Sequence, residues 1–357
     1  MKVGICLGTR PEIIKLSPVI RLLQNRKLDF VLIHSGQHYS DEMDSIFFKE
    51  LNIPKPKYNL NVGSCSHSSQ TSKILKRIEP ILVSENLDIL LVQGDTNTVM
   101  ASALAAVKIG IKVGHIEAGL RSFDRNMPEE INRVVTDHIS DFLFCPTKTS
   151  AENLYNEGIS KDKIFITGNT IVDSLSYSRE KILNSKISDN LNLKSKEYFL
   201  ATIHRQENVD NKIVLSQILT IFNHICETYK CPVIFPIHPR TRKMISNFKI
   251  STQGIELINP VGYHDFLSLQ EHSSLIFTDS GGVQEEACII GTPCITIRNN
   301  TERPETVDVG SNFIAGINSK KIFRFTEKFL QEKRFWKQPF GDGTTAKEIL
   351  DILTSKL

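Results

Sequence analysis

Three acidic residues in the first half of this 357-residue chain stand where proton transfer could be done. Asp95 lies in Gln93-Gly94-Asp95-Thr96-Asn97-Thr98, directly after the apolar run Ile89 to Gln93. Glu117 follows the next such run, in His115-Ile116-Glu117-Ala118-Gly119-Leu120-Arg121. The segment Met127-Pro128-Glu129-Glu130-Ile131-Asn132-Arg133 comes after a short loop and has the composition of a helix start. Carboxyl groups placed to exchange a proton with a substrate contribute ~10² to 10⁴ in rate. Asp95 alone could instead be the N-cap of the next helix, but acids closing two successive runs favour chemistry. Glu129 and Glu130 are ~100° apart on a helix, so one is expected to face the ligand and the other to be a solvated first-turn acid.

Other residues suit an anion. Gly8-Thr9-Arg10-Pro11-Glu12 leads into Ile13, Leu16, Ile20 and Leu23 at helical spacing, with Pro11 in the first turn and a Thr9/Glu12 capping box. Such a helix start offers N–H groups to a negative charge, and Arg10 and Lys15 add positive charge beside it; the plain alternative is an ordinary turn with solvated basic residues. The stronger signal is Thr278-Asp279-Ser280-Gly281-Gly282-Val283-Gln284-Glu285-Glu286. Gly281 and Gly282 let backbone approach a diphosphate, and Glu286, one turn on, can accept from ribose hydroxyls. Arg303-Pro304-Glu305 echoes Arg10-Pro11-Glu12. His204 ends another apolar run, where it can touch a phosphate or pass a proton. His115 and His238 read as packing residues and His138 as helix surface. No His-Glu-x-x-His or Cys/His cluster suggests a metal, and no Gly-x-Gly-x-x-Gly follows a strand, so neither metal nor dinucleotide cofactor is expected.

The elements that must carry these residues are short apolar runs separated by helical stretches. Val3 to Leu7, Phe30 to His34, Ile89 to Gln93, Val113 to Ile116, Phe142 to Cys145 and Ile164 to Thr167 form one set. Tyr198 to Ile203, Val233 to Ile237, Ile255 to Ile258, Leu275 to Thr278 and Cys294 to Ile297 form a second. Continuous apolar runs suit strands covered on both faces, which implies two parallel, doubly wound α/β units. The polar stretch from about Ser178 to Lys196 reads as a helix end and linker between them. In such sheets ligands bind beyond the carboxyl ends of the strands, so the chemistry is expected in a cleft faced by both.

The bulk properties agree. A 40% apolar and 23% charged composition is that of a globular protein, and 43 basic against 40 acidic residues leaves only +3. That balance lacks the basic stripe needed for nucleic acid or a membrane surface. Met1 to Leu7 is too short for a signal peptide, and no run approaches the ~20 apolar residues of a membrane span. Seven cysteines without a Cys-x-x-Cys pair read as reduced thiols. A cytoplasmic protein is expected.

Taken in order, Gly8 to Glu12, Gln93 to Thr96, Glu117 to Arg121, Pro128 to Arg133 and Asp279 to Gly282 resemble the motifs of the non-hydrolysing UDP-N-acetylglucosamine 2-epimerases, over essentially the whole chain. The resemblance implies two Rossmann-like domains of GT-B type. Residues 1–170 would carry the acids, 171–342 would bind UDP, and a helix at about 343–357 would pack back on the first. It implies that Arg10, His204, Ser280, Gly281, Gly282, Glu286 and Arg303 hold UDP, with Phe266 near the uracil. Asp95, Glu117 and Glu129 match the catalytic acids, and Lys15 matches a basic residue of the active site. Homodimers without a cofactor are the family's usual form. A hydrolysing 2-epimerase, a GT-B glycosyltransferase and a non-catalytic sugar-nucleotide sensor are the alternatives; the retained acids speak against the last.

One departure has a kinetic consequence. Bacterial members bind a second, activating substrate molecule through a Gln-His-Arg-x segment and an arginine before Gln-Thr. Here Tyr39 and Ser40 follow Gln37-His38, and Ser69 precedes Gln70-Thr71. With those contacts gone, initial rate against substrate is expected to be close to hyperbolic; a clearly sigmoidal curve in a steady-state assay would contradict this.

Overall fold

Aliphatic runs that are buried on both faces become parallel strands here, and the helices between them supply the cover. The computed structural model describes residues 1–36, 47–332 and 335–357. The segment Gln37-His38-Tyr39-Ser40 therefore lies outside the described residues. The chain forms two units, Met1–Tyr177 with Phe340–Leu357, and Ser178–Pro339.

In the first unit the strands are β1 (Lys2–Leu7), β2 (Asp29–His34), β3 (Tyr58–Asn59), β4 (Ile89–Gln93), β5 (Lys112–Ile116), β6 (Phe142–Cys145) and β7 (Ile164–Ile166). They pair in the order β3-β2-β1-β4-β5-β6-β7, all parallel. The chain winds outward from β1 to β3, then returns to place β4 beside β1, with Val3 opposite Ile89. The order thus reverses at β1/β4, and the two turns leaving those strands are the Gly8 and Asp95 turns. The fully buried Ile5, Leu7, Leu90, Leu91 and Val92 lie at that junction.

The second unit repeats the design with β8 (Phe199–Thr202), β9 (Val233–Pro236), β10 (Ile255–Ile258), β11 (Leu275–Thr278), β12 (Cys294–Thr296) and β13 (Asn312–Ile314). Their order is β10-β9-β8-β11-β12-β13, again parallel. Here the reversal falls at β8/β11, whose following turns carry His204 and Asp279–Gly282. Phe199, Phe222 and Phe277 pack as tilted and edge-on rings 5.3 to 5.8 Å apart in its core. The expected fold class, two doubly wound α/β units, is what the chain adopts.

Two strands have no counterpart in the apolar runs. β3 is two residues long and follows Pro54 and Pro56, and β13 is three residues long, so neither carries a pattern of its own. The helix Thr170–Leu183 runs past the expected end at Ser178, and the second unit begins within it. The helix Thr345–Lys356 belongs to the first unit and lies against the helix Arg10–Asn25. It buries Ala346, Ile349, Leu350 and Leu353, donates Ala346 N–H to Asp173 at 3.0 Å, and pairs Asp351 with Arg26 at 2.7 Å.

Gly119 shows how tightly the β5 turn is packed. Its φ is +80°, and a Cβ there would sit 2.1 Å from the Ser150 carbonyl oxygen. Gly110 has a similar φ of +81° but open space where a Cβ would lie. Gly119→Ala is therefore expected to cost on the order of 2 kcal/mol or more, and Gly110→Ala about 1 kcal/mol. Calorimetric melting of both variants checks this, and equal melting points would show that the contact with Ser150 is not the constraint.

Candidate active site

The β1 turn is held by a buried acid. Glu12 accepts from Gly8 N–H at 2.5 Å and Thr9 N–H at 3.2 Å with one carboxylate oxygen, and from Thr96 Oγ1 at 2.6 Å with the other. Burial pushes its pKa up to about 7, against the pull of those donors. Glu12 thereby ties the Arg10 turn to the Asp95 turn. Arg10 opens the helix partly exposed, its guanidinium 4.5 Å from the Phe47 ring centroid. Lys15, expected to add charge beside this helix start, is buried, and its Nζ bonds Glu117 Oε1.

Asp95 is not an N-cap. Thr96 caps the helix Asn97–Lys108, its Oγ1 accepting from Val99 N–H, and this leaves the Asp95 side chain about 30% exposed one residue earlier. Glu117 is the more constrained acid. Its φ is +73°, a conformation that costs a non-glycine residue ~1–2 kcal/mol. Its carboxylate is buried among donors: Lys15 and Asn169 Nδ2 (3.2 Å) on one oxygen, and Gln93 Nε2 on the other. A Cβ built on Gly94 would lie 3.9 Å from Glu117 Oε2, so the two acid-bearing turns are neighbours.

The helix Pro128–Ile139 brings in the third acid and grips the first. Glu129 is partly exposed in its first turn. One turn on, Asn132 Nδ2 donates to the Asp95 carbonyl at 2.9 Å and Arg133 Nε donates to Asp95 Oδ2 at 3.2 Å. Arg133 also reaches Glu130 at 2.6 Å. Glu130 is not the solvated acid expected from helix geometry. It is buried because the loop after β5 turns its polar groups onto it, with Ser122 N–H at 2.9 Å, Ser122 Oγ at 3.0 Å and Phe123 N–H at 2.9 Å. Asn132 and Arg133 were missed as supporting residues, although their spacing of three and four from Glu129 was a visible signal. Asn169 and Gln93 gave no such signal. Ser69 lies in the first turn of the helix His67–Glu85, and the neighbouring Gln70 accepts from Asn97 at 2.6 Å.

In the second unit the β8 and β11 turns are joined by Asp279, which is fully buried. It accepts from His204 N–H, Arg205 N–H at 3.0 Å and Asn208 Nδ2 at 3.0 Å. Burial alone would raise its pKa, but His204 and these donors together hold it below the ordinary carboxylate value. His204 Nδ1 also lies 3.1 Å from Asp279 Oδ1, so the carboxylate orients a ring that is 45% exposed and leaves Nε2 for a ligand.

The two glycines do different work. A Cβ on Gly281 would be 2.7 Å from Arg303 NH1, whereas one on Gly282 would meet nothing within 4 Å. Gly281 makes room for Arg303, and only Gly282 leaves open space for backbone approach. Arg303 itself is not an open cation: it is buried and paired with Glu285 at 3.0 Å and Glu302 at 3.1 Å. Ser280 is the partly exposed N-cap of the helix Gly281–Ile290, its N–H donating to Thr278 Oγ1 at 3.0 Å. Glu286 is buried and accepts from Gln270 Nε2 at 2.7 Å. Phe266 is partly buried on the helix Tyr263–His272, one turn before Gln270.

The other histidines differ from expectation in part. His115 is fully buried but bonded at both ring nitrogens. His238 is exposed, because its Nδ1 caps the helix Pro239–Phe248. His138 is at the surface as expected.

Two units with parallel sheets, carrying Arg10 and Asp95 at one strand-order reversal and His204 with Ser280, Gly281 and Gly282 at the other, have the architecture of the GT-B class. The family model described as UDP-N-acetylglucosamine 2-epimerase matches residues 21–354. The chain is 55% identical to the UDP-N-acetylglucosamine 2-epimerase of Methanococcus maripaludis, covering 99% of this chain and 98% of the relative. A crystal structure of the Methanocaldococcus jannaschii UDP-GlcNAc 2-epimerase in complex with UDP-GlcNAc and UDP is similar with a TM-score of 0.95 at 53% identity, over 99% of this chain and 100% of that one. The UDP-2,3-diacetamido-2,3-dideoxy-D-glucuronate 2-epimerase of Pseudomonas aeruginosa is 41% identical over 99% of each chain. This chain belongs to the UDP-N-acetylglucosamine 2-epimerase family.

Glu117→Gly tests the two sides of that residue's energetics. It would relieve a left-handed backbone worth ~1–2 kcal/mol but remove the carboxylate on which Lys15, Gln93 and Asn169 converge. Breaking a buried ion pair costs ~3–5 kcal/mol. Net destabilisation of roughly 1 to 4 kcal/mol is expected by calorimetry; a more stable variant would show that the backbone dominates.

Proposed function

We propose that this chain interconverts UDP-N-acetylglucosamine and UDP-N-acetylmannosamine by eliminating and re-adding UDP. The observation that carries the reading is the acid cluster, Asp95 held by Arg133 and Asn132 next to a buried Glu117, in a chain 55% identical to a named 2-epimerase over nearly its whole length.

The chemistry follows from the substrate. Carbon 2 bears an amide nitrogen and is not adjacent to a carbonyl, so its hydrogen is too weakly acidic for direct removal by a side chain. Breaking the anomeric C–O bond solves this. The bonding pair leaves on the diphosphate oxygen, the carbon 2 C–H pair becomes the C1=C2 double bond of 2-acetamidoglucal, and the proton passes to one of Asp95, Glu117 and Glu129. Another of the three returns a proton to the opposite face while UDP re-adds at carbon 1.

Departing UDP is stabilised by Arg10, His204 and the Ser280-Gly281-Gly282 backbone. Glu286 takes the ribose and Phe266 lies by the uracil. Arg303 contributes through the Gly281 turn it packs on, since its charge is already shared with Glu285 and Glu302. Lys15 acts through Glu117. Residues 1–170 supply the acids, with the C-terminal helix packed against them, and 171–342 the nucleotide site. We further assign the enzyme to a cytoplasmic homodimer feeding polysaccharide biosynthesis.

The relative from Pseudomonas aeruginosa gives a second substrate a specific basis. Purified protein is incubated in deuterated water with each UDP-sugar separately and followed by proton NMR. Expected are UDP-N-acetylmannosamine at equilibrium with deuterium at carbon 2, and no reaction with the diacetamido uronate. Free N-acetylmannosamine would indicate the hydrolase, and no change a transferase or sensor. Retention of the original carbon 2 hydrogen without exchange would exclude elimination. Asp95→Asn is expected to bind UDP normally while losing ~10² to 10⁴ in turnover.

A further inference from the structure

The helix Pro128–Ile139 carries one more buried acid, Asp137, for which the proposed chemistry has no use. Three donors converge on it. Gly119 N–H reaches Oδ2 at 3.2 Å, Arg121 NH1 reaches the same oxygen at 2.7 Å, and His115 Nδ1 reaches Oδ1 at 2.6 Å. Burial would raise the pKa of Asp137, but His115 and Arg121 hold it below the ordinary carboxylate value. Arg121 is fixed in turn by a two-pronged bond to Glu157, 2.7 Å at each prong. On its far side the His115 ring donates from Nε2 to the Gly94 carbonyl at 2.8 Å.

The ends of this chain of bonds matter more than its middle. One end is Gly119, two residues after Glu117; the other is Gly94, immediately before Asp95. Gly94 has a φ of +87°, which glycine adopts without strain, so the angle alone leaves the Asp95 turn free to shift and the bonds to Gly94 set its place. Backbone pairing supplies Gly94 N–H to Ile116 O at 3.2 Å, and His115 supplies the other.

We propose that His115 and Asp137 form a positioning pair that fixes the spacing of the Asp95 and Glu117 carboxylates for proton exchange on opposite faces of the sugar. This rests on the elimination reading above. Neither residue touches substrate. Loss of the pair moves one acid relative to the other, so removal and return of the proton are no longer matched, and a misplacement of ~1 Å costs roughly 10²-fold.

Two substitutions separate the halves of the link. His115→Gln keeps an amide donor for the Gly94 carbonyl, and His115→Asn keeps one for Asp137. Expected for both are UDP affinity within about 3-fold of wild type by calorimetry, a kcat ~10- to 100-fold lower with little change in KM, and a larger share of turnovers ending in released UDP and 2-acetamidoglucal. In a cycle with Asp95→Asn, the two losses should be strongly non-additive, because His115 acts through that turn. Wild-type kcat and product partition in the variants would overturn the proposal, as would additive losses or failure of both variants to fold, which would assign the pair to stability. If wild-type enzyme itself shows no carbon 2 exchange, the elimination reading fails; if it does and the variants match it, only the positioning role fails.

Discussion

A carboxylate withdrawn from water has to find donors, and for four buried acids of this protein the donors include the turns that carry the candidate site. Glu12, Glu130 and Asp137 are each nearly inaccessible in the first unit, and each accepts backbone N–H groups, from Gly8 and Thr9, from Ser122 and Phe123, and from Gly119. Asp279 does the same in the second unit with His204 and Arg205. Breaking one such buried arrangement costs ~3–5 kcal/mol, whereas a surface pair such as Lys347–Asp351 is worth ~0–1 kcal/mol. The loops are therefore held by interactions that are expensive to break one at a time. That is how short irregular segments can present side chains with strand-like precision.

Two of these four acids stand at the points where strand order reverses. Where strand order reverses, the chain leaves neighbouring strands in opposite directions around the sheet, and the turns part to open a crevice. The first unit reverses at β1/β4 and the second at β8/β11. Glu12 bridges the first reversal by reaching Thr96 from the β1 turn, and Asp279 bridges the second by reaching His204 from the β11 turn.

This also explains how much was legible in the amino-acid sequence. The strands and the reversal-point motifs were readable because long apolar runs and Gly-containing turns are local patterns. The identity of Asp95, Glu117 and His204 as strand-end residues followed from them. What each polar residue bonds to was not local. Glu130 looked like any first-turn acid, because nothing in its neighbourhood announces that residues 122 and 123 will fold back onto it. Arg303 was expected to contact UDP; one of its acidic partners, Glu302, is its neighbour in the chain, but the other, Glu285, lies 18 residues away. His115 looked like packing since its burial is visible in the apolar run, but its two bonding partners come from other elements. The plain alternative for Asp95, an N-cap, is excluded because the helix begins at Asn97 and Thr96 is its cap.

The distribution of exposure then separates support from action. Asp95, Glu129, His204, Ser280 and Gly282 retain access to solvent, and the residues that hold the acids and the histidine among them, Asn132, Arg133 and Asp279, do not. Glu117 fits neither group. It is buried like the supporting acids, but side chains gather on its carboxylate: Lys15, Gln93 and Asn169. Its own backbone is in a conformation that glycine would adopt without the ~1 kcal/mol penalty. A residue needed only for the turn would be glycine, as Gly94 and Gly119 are in the same unit at φ of +87° and +80°. A residue needed only for packing would not gather a lysine and two amides around a charge. The combination makes sense when the carboxylate itself is what the position must supply, with the left-handed backbone aiming it and the three donors fixing where its oxygens lie.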